Sequence, residues 1–337
     1  GCEPLDDAPI LDLRIRKGVR RHGVKLAVAS ARPSALDPKA TLIARYPPGN
    51  EEAFLASLAT ALATGSDDGS GLARLLREGG EDVVILWGER LGSAASQLAS
   101  IASSLGLARR DGAGLLYVPV NSNGRGQMEA GAVPFAGPGY TVPEDFVAGR
   151  DAAQIAQAAA DGAIHALYLL DTDPVRDRHD RGLWERAMHA AGLVVAHASV
   201  LTEGLAEHAH VIFPADSSAE QDGTVVHPDG RVQRLRAAIG HPRAVRPGWS
   251  VIASVASACG LDLGVLTSPM AFSQLVDAVP FYRGLTLEEI GGRGVRWPAL
   301  ASATAFPSPE AASPAPAAGP APASAARTIG DGAFRLG

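Results

Sequence analysis

"AIHALYLLDTDP", residues 163–174, is the stretch from which the fold is read. Residues 163–170 are almost unbroken apolar chain, which suits a strand covered on both faces of a parallel sheet. "DTDP" is its carboxyl-end corner. A polar loop and a helix over 181–191 follow. "GLVVAHAS" (192–199) is then the next strand. Strand, helix and parallel strand make a βαβ unit.

The same order stands at the start of the chain. "GCEP" (1–4) is a corner, and "APILDLRIRKGVRRH" (8–22) is a helix with Leu11, Ile15 and Val19 in an apolar stripe. Acids precede that helix, and Arg14, Arg16, Lys17, Arg20 and Arg21 crowd its later turns, which complements the helix dipole. Gly23 stops it, and "VKLAVA" follows as a strand. Further along, 51–64 reads as a helix, "GSDDGSG" (65–71) as a loop, "DVVILW" (82–87) as a strand, 94–105 as a helix and "GLLYVPV" (114–120) as a strand. "NSNGRGQMEAGAVPFAGPGY" (121–140) reads as one long loop, too rich in Gly, Pro and Asn for regular structure. The expected architecture is therefore α/β, a pair of similar doubly wound lobes with parallel sheets. Residues 301–327 are almost all Ala, Pro and Ser and read as a semi-extended linker.

With 337 residues, 46% of them hydrophobic, the chain can bury a sizeable core. The net charge is −6 with both signs mixed and no basic stripe, so nucleic acid is not an expected partner. The two cysteines, Cys2 and Cys259, cannot build a disulfide framework or an iron–sulfur site. No apolar run is long enough to span a membrane, so direct insertion is not expected. The chain opens without an initiator Met and closes on "DGAFRLG", which reads as a strand just starting, so a longer parent is expected.

Several clusters invite a chemical reading. Glu207, His208 and His210 resemble a metal site, but two histidines two apart at a helix-to-strand junction need further ligands from elsewhere. Asp171, Asp173, Asp177 and Asp180 are interleaved with Arg176, Arg178 and Arg181, which suits a solvated mixed-charge loop better than a cation site. "GERLG" (88–92) could weakly cradle phosphate. "CEP" and "DTDP" place carboxylates and a donor-less proline where an anion would sit. "EQDGTVVHPDGRVQRL" (220–235) looks like an active site, yet Pro228 and Asp229–Gly230 are what a hairpin turn requires. Glu220, Arg231 and Gln233 remain as candidates for fixing its packing.

The run from "LYLLDTDP" through "GLVVAHASVLTEGLAEHAHVIFPADSSAEQDGTVVHPDGRVQRLRAAIGHP" resembles the molybdopterin oxidoreductase superfamily. That superfamily carries a Gly-x-Asn-Pro corner, a Thr-Glu-Thr-Ala-like segment, an Ala-Asp-Val-Val-Leu-Pro strand and a Glu-x-x-Gly-Thr-x-x-Asn-x-Glu-Gly-Arg-x-Gln hairpin. Within it, "GCEPLDDAPILDLRIRKGVRRHG" and "LTLEEIGGRGVRWP" are similar to the G-subunit family of NADH-quinone oxidoreductase (respiratory complex I).

The resemblance implies two α/β lobes that would hold a pterin dinucleotide between them. It places 1–48 at the end of one lobe and 49–300, with hairpin 223–235, in a second. Residues 328–337 would start a terminal β domain. Positions corresponding to the pterin cleft are Glu3, Asp171, Asp173, Thr202, Glu220, Gly223, Arg231 and Gln233. Departures from the pattern are concentrated there. Glu3 and Asp173 replace Asn, Asp171 replaces Gly, "SARP" (30–33) replaces Asp-Pro-Arg, His210 replaces Asp and His227 replaces Asn. The resemblance thus implies a vestigial site, with no catalytic residue, no metal and no molybdopterin here. The 2Fe–2S and 4Fe–4S clusters of the G-subunit family would sit on other parts of the parent. Its partners would be other peripheral-arm subunits, at the cytoplasmic face of the cell membrane. An active enzyme of formate dehydrogenase or nitrate reductase type is the alternative.

Overall fold

The computed structural model describes residues 1–307 other than His179 and Arg243. The strands in chain order are β1 (Ala27–Ser30), β2 (Leu42–Arg45), β3 (Val84–Gly88), β4 (Gly114–Val118), β5 (Ala166–Leu170), β6 (Leu193–Ala198), β7 (Val211–Pro214), β8 (Gly223–Val226), β9 (Arg231–Leu235) and β10 (Val295–Arg296). β1 pairs with β2, β3 with β4, and β5 with β6 and β6 with β7, all in parallel, as the apolar strands lead one to expect. Among the described residues, the antiparallel strands are the hairpin β8–β9 and its companion β10, with one isolated antiparallel bridge between Val133 and Ala136. The chain divides into two compact units. The first is Gly1–Met128, Ala215–Ser273 and Leu285–Leu300; the second is Glu129–Pro214, Gln274–Gly284 and residues 301–307.

In the first unit, helices Glu51–Thr64 and Ala95–Ser104 share one core. Leu55, Leu58, Leu98 and Ile101 are buried there with Ala44 of β2, and Ile85 and Trp87 of β3 lean on the same cluster. The lobe boundary expected at residue 48 therefore lies inside this unit. Between those helices the chain forms another, Leu72–Gly79, which buries Leu72 and Ala73. The stretch 121–140 differs from the single loop expected of it. It contains a helix, Gly124–Glu129, and a 3-10 turn, Pro138–Tyr140. Tertiary contacts override its weak helix propensity: Arg125 bonds the carbonyl of Pro228 and lies 5.2 Å above the Trp297 ring, while the Asn123 side chain accepts the Val226 N–H at 2.8 Å.

Those contacts anchor the hairpin. Val226 and Val232 are buried, and the Trp297 N–H reaches the carbonyl of Gly230 at 3.1 Å. Gly230 has φ +81°, and a Cβ there would stand 2.7 Å from the Pro298 ring. Both the backbone sign and the neighbouring ring exclude a side chain.

In the second unit, helices Ala152–Ala160 and Arg181–Ala190 cover one face of β5–β6–β7 through Leu167, Leu169, Val194 and Ala196. A separate aromatic cluster joins Phe281, Tyr282, Phe306 and Tyr140. Residues 301–305 form a 3-10 turn, so the stretch read as linker begins in packed chain. The rest of it, 308–327, and the expected terminal strand at 328–337 lie outside the described residues. Within the same unit, fully buried Glu129 accepts a hydrogen bond from Tyr282 Oη.

Three outcomes follow in denaturation curves read by tryptophan fluorescence. Gly230→Val should cost about 1–3 kcal/mol, while Gly223→Ala, with no positive φ and open space at its Cβ, should stay within about 0.5 kcal/mol of the parent chain. Tyr282→Phe removes a donor from a buried carboxylate and should cost about 1–3 kcal/mol.

Candidate functional site

Two proline-led corners, one at Glu3-Pro4 and one after β5, carry a repeated device. Glu3-Pro4 precedes a one-turn helix, Pro4–Asp7, and Asp173-Pro174 precedes another, Pro174–Asp177. A residue before proline is confined to extended backbone. Glu3 sits at φ −118°, ψ 99°, and Asp173 at φ −112°, ψ 98°. In both, the carboxylate four residues on folds back. The Glu3 N–H donates to Asp7 Oδ2 at 2.7 Å, and the Asp173 N–H to Asp177 Oδ2 at 3.0 Å. Each turn then closes alike: the Ala8 N–H reaches the Pro4 carbonyl at 3.0 Å, and the Arg178 N–H the Pro174 carbonyl at 3.2 Å.

The second corner is held further. Asp173 is buried; its Oδ1 accepts the Val175 N–H at 3.1 Å and its Oδ2 the Thr202 hydroxyl at 2.5 Å. A Cβ at Gly204 would stand 2.5 Å from Asp173 Oδ1, so Gly204 makes the room that this carboxylate fills. Asp171, at φ +49°, accepts from the Ser199 hydroxyl at 3.1 Å and the Ser199 N–H at 3.4 Å. Partial burial pushes the Asp177 carboxyl up. Hydrogen bonds from Arg176 and the Asp173 N–H outweigh it and hold the group below its ordinary range.

The first corner is supported differently. Asp7 takes both guanidinium nitrogens of Arg90, at 3.1 and 3.2 Å. Glu3 is buried, and among the described residues its Oε1 has no hydrogen-bond partner. In the "GERLG" corner, Glu89 accepts from the Tyr117 hydroxyl at 2.8 Å and the Val120 N–H at 3.4 Å. A carboxylate, not an anion-binding nest, occupies it.

The remaining candidates have local roles. Glu220 accepts the Ser217 N–H at 2.8 Å, which holds its pKa below the usual range. Arg231 reaches the carbonyl of Arg293 at 3.3 Å, and Gln233 points to solvent. Gly223 opens β8. His210 Nδ1 accepts the Val194 N–H at 3.0 Å, just ahead of the first β6–β7 pair. Among the described residues, no group of three or more His, Cys, Asp or Glu could hold a metal ion. Glu3, Glu220, Gly223, Arg231 and Gln233 belong to the first unit; Asp171, Asp173 and Thr202 belong to the second. Sequence reading missed the pairing of residue 3 with 7 and of 173 with 177. The matching spacing in "EPLDD" and "DPVRD" was the available signal.

Residues 1–258 match the molybdopterin oxidoreductase family. The chain belongs to that family. It is similar to the NADH-quinone oxidoreductase G subunit of Streptomyces coelicolor, 32% identical, with 71% of this chain and 30% of that protein covered. It is also similar to a formate dehydrogenase alpha subunit of Methanococcus maripaludis, 27% identical, covering 60% of this chain and 32% of the other. Acetylene hydratase from Pelobacter acetylenicus shares the fold, with a TM-score of 0.51 at 12% identity over 83% of this chain and 49% of that one. The chain spans only 30% to 39% of the length of the G-subunit relatives it matches.

The corner geometry has a pH signature. Asp177 is more acidic folded than unfolded, so its share of stability is present above the ordinary Asp pKa of about 4 and is lost as pH falls through the lower folded value. Asp177→Asn should destabilise the chain at pH 7 and flatten the loss of stability below about pH 4, measured by urea denaturation across pH.

Proposed function

We propose that this chain is a non-catalytic structural region of a G subunit of NADH-quinone oxidoreductase. In this reading the whole complex passes electrons from NADH to quinone through iron–sulfur clusters carried outside the chain. One observation supports it above the others: four backbone donors at the two corners are already taken. A phosphate or pterin at such a corner is held by free N–H groups at a helix start. Here the N–H groups of Glu3, Asp173, Val175 and Ser199 are bonded to the chain's own Asp7, Asp177, Asp173 and Asp171. Buried Glu3 adds negative charge with an unpartnered oxygen. These corners do not fit a pterin dinucleotide. Two cysteines are too few for a four-thiolate cluster.

The partners in this reading are the other subunits of the peripheral arm, at the cytoplasmic face of the membrane. Among the described residues no helix is long and apolar enough to cross a membrane. The second reading is a working molybdopterin-dependent oxidoreductase, favoured by the likeness to a formate dehydrogenase.

Metal and pterin analysis of the purified complex, with the full-length parent protein in place, separates the two. Neither molybdenum nor tungsten should approach one atom per protein, and oxidised extracts should give no pterin fluorescence. Titration of this chain with guanosine diphosphate should show no saturable binding. Stoichiometric metal, or a bound dinucleotide at the corners, overturns the proposal.

A further inference from the structure

Helix Pro9–His22 presents two different faces. At about 100° per residue, Leu11, Asp12, Ile15, Arg16 and Val19 share one side, and all are buried or half-buried. Ile10, Leu13, Arg14, Lys17, Arg20 and Arg21 fall within an arc of about 120° on the other, and all are exposed. Ile10 and Leu13 leave 68% and 60% of their surface to solvent. The inner cation of this helix is used within the fold: Arg16 pairs with Asp12 at 2.7 Å and reaches the carbonyl of Ala35. Lys25, just past the helix, pairs with Glu78 at 3.0 Å. Arg14, Lys17, Arg20 and Arg21 make no ion pair among the described residues. They stand in a chain whose net charge is −6.

We propose that this face docks an acidic helical segment of a partner polypeptide. Cations three, four and seven residues apart run along about 10 Å of one helix face, and a partner helix with carboxylates at the same spacings meets them in register. Ile10 and Leu13 lie at the amino-terminal end of the face and give such a partner an apolar anchor beside the charges. A lipid surface fits less well. A helix lying in a bilayer interface buries an apolar face and keeps its cations on the far side. Here Lys17 stands at the centre of the exposed arc, between Leu13 and Ile10, with Arg14, Arg20 and Arg21 towards its two edges, so insertion of the apolar residues would bury charge. The surface is separate from the strand-end corners, and its role does not depend on what the corners hold.

The test uses this chain and a fluorescently labelled helical peptide carrying Glu at positions i, i+3, i+4 and i+7 with two flanking leucines. Fluorescence anisotropy should show saturable binding that weakens as salt is raised from about 50 to 300 mM, because exposed charge pairs are screened. Arg14→Glu/Lys17→Glu/Arg21→Glu, all at exposed positions, should bind at least about tenfold more weakly with an unchanged circular dichroism spectrum, the melting temperature falling only by the lost complement to the helix dipole. Ile10→Ser/Leu13→Ser should weaken binding with little change in its salt dependence. A matching Lys peptide should not bind. The proposal is overturned if the acidic peptide does not bind, if the charge-reversed chain binds it equally, or if vesicles rich in phosphatidylserine capture the chain while the peptide does not.

Discussion

A backbone N–H just before a proline, bonded to a carboxylate four residues on, sets two corners of the chain, at Glu3 and, after β5, at Asp173. Proline fixes its own φ and holds its predecessor extended, so the chain must turn sharply with one donor exposed at the bend. In "EPLDD" and "DPVRD" the second acid meets that donor, and the two corners agree in backbone angles to within a few degrees. The helix that follows starts in a defined direction. The helix Arg181–Ala190 can then lie on β5 and β6, and Pro9–His22 can lead into β1.

The hairpin obeys a different constraint with the same result. Gly230 and Gly294 both have positive φ, and a Cβ on either would collide with a neighbour: the Pro298 ring at 2.7 Å or the Val232 carbonyl at 2.7 Å. Arg125 and Asn123, about a hundred residues upstream, close the other side. His227 and Arg296 converge on Asp229, at 2.8 and 3.3 Å. Of the polar residues that make the stretch look chemical, His227, Asp229 and Arg231 are thus engaged in holding a turn against β10 and the Trp297 ring.

What was legible in the sequence depended on the range of the interaction. The helices at 9–22 and 51–64 were readable because periodic apolar residues and a terminal glycine are local signals; Gly23 and Gly65 do take left-handed geometry. The parallel strands β1, β3, β4, β5 and β6 were readable from apolar runs, whereas β2, four residues long, was not. The helix Gly124–Glu129 was not, since its two glycines argue against it and its support comes from residues a hundred positions away. β10 is two residues long and carries no pattern at all. At the corners, the acids before proline were legible as departures from a cofactor-binding pattern. The Thr202 hydroxyl on Asp173 was not, because 29 residues of chain separate them.

At the corners the question of what pairs the backbone donors is answered within the chain. A buried backbone donor must be paired, whether by protein, water or a bound molecule. Where a cofactor supplies the acceptor, the empty protein is left with unmet donors and gains stability on binding. Where Asp7, Asp177 and Asp173 supply it, the corner is complete as folded, and a ligand phosphate would first have to displace a carboxylate already bonded at 2.7 to 3.1 Å. Displacement would also bring two negative groups together in a partly buried place, where Coulomb repulsion is weakly screened. Under the proposed reading, the same carboxylates that satisfy the backbone would oppose such a ligand, and a single substitution would not reverse both effects.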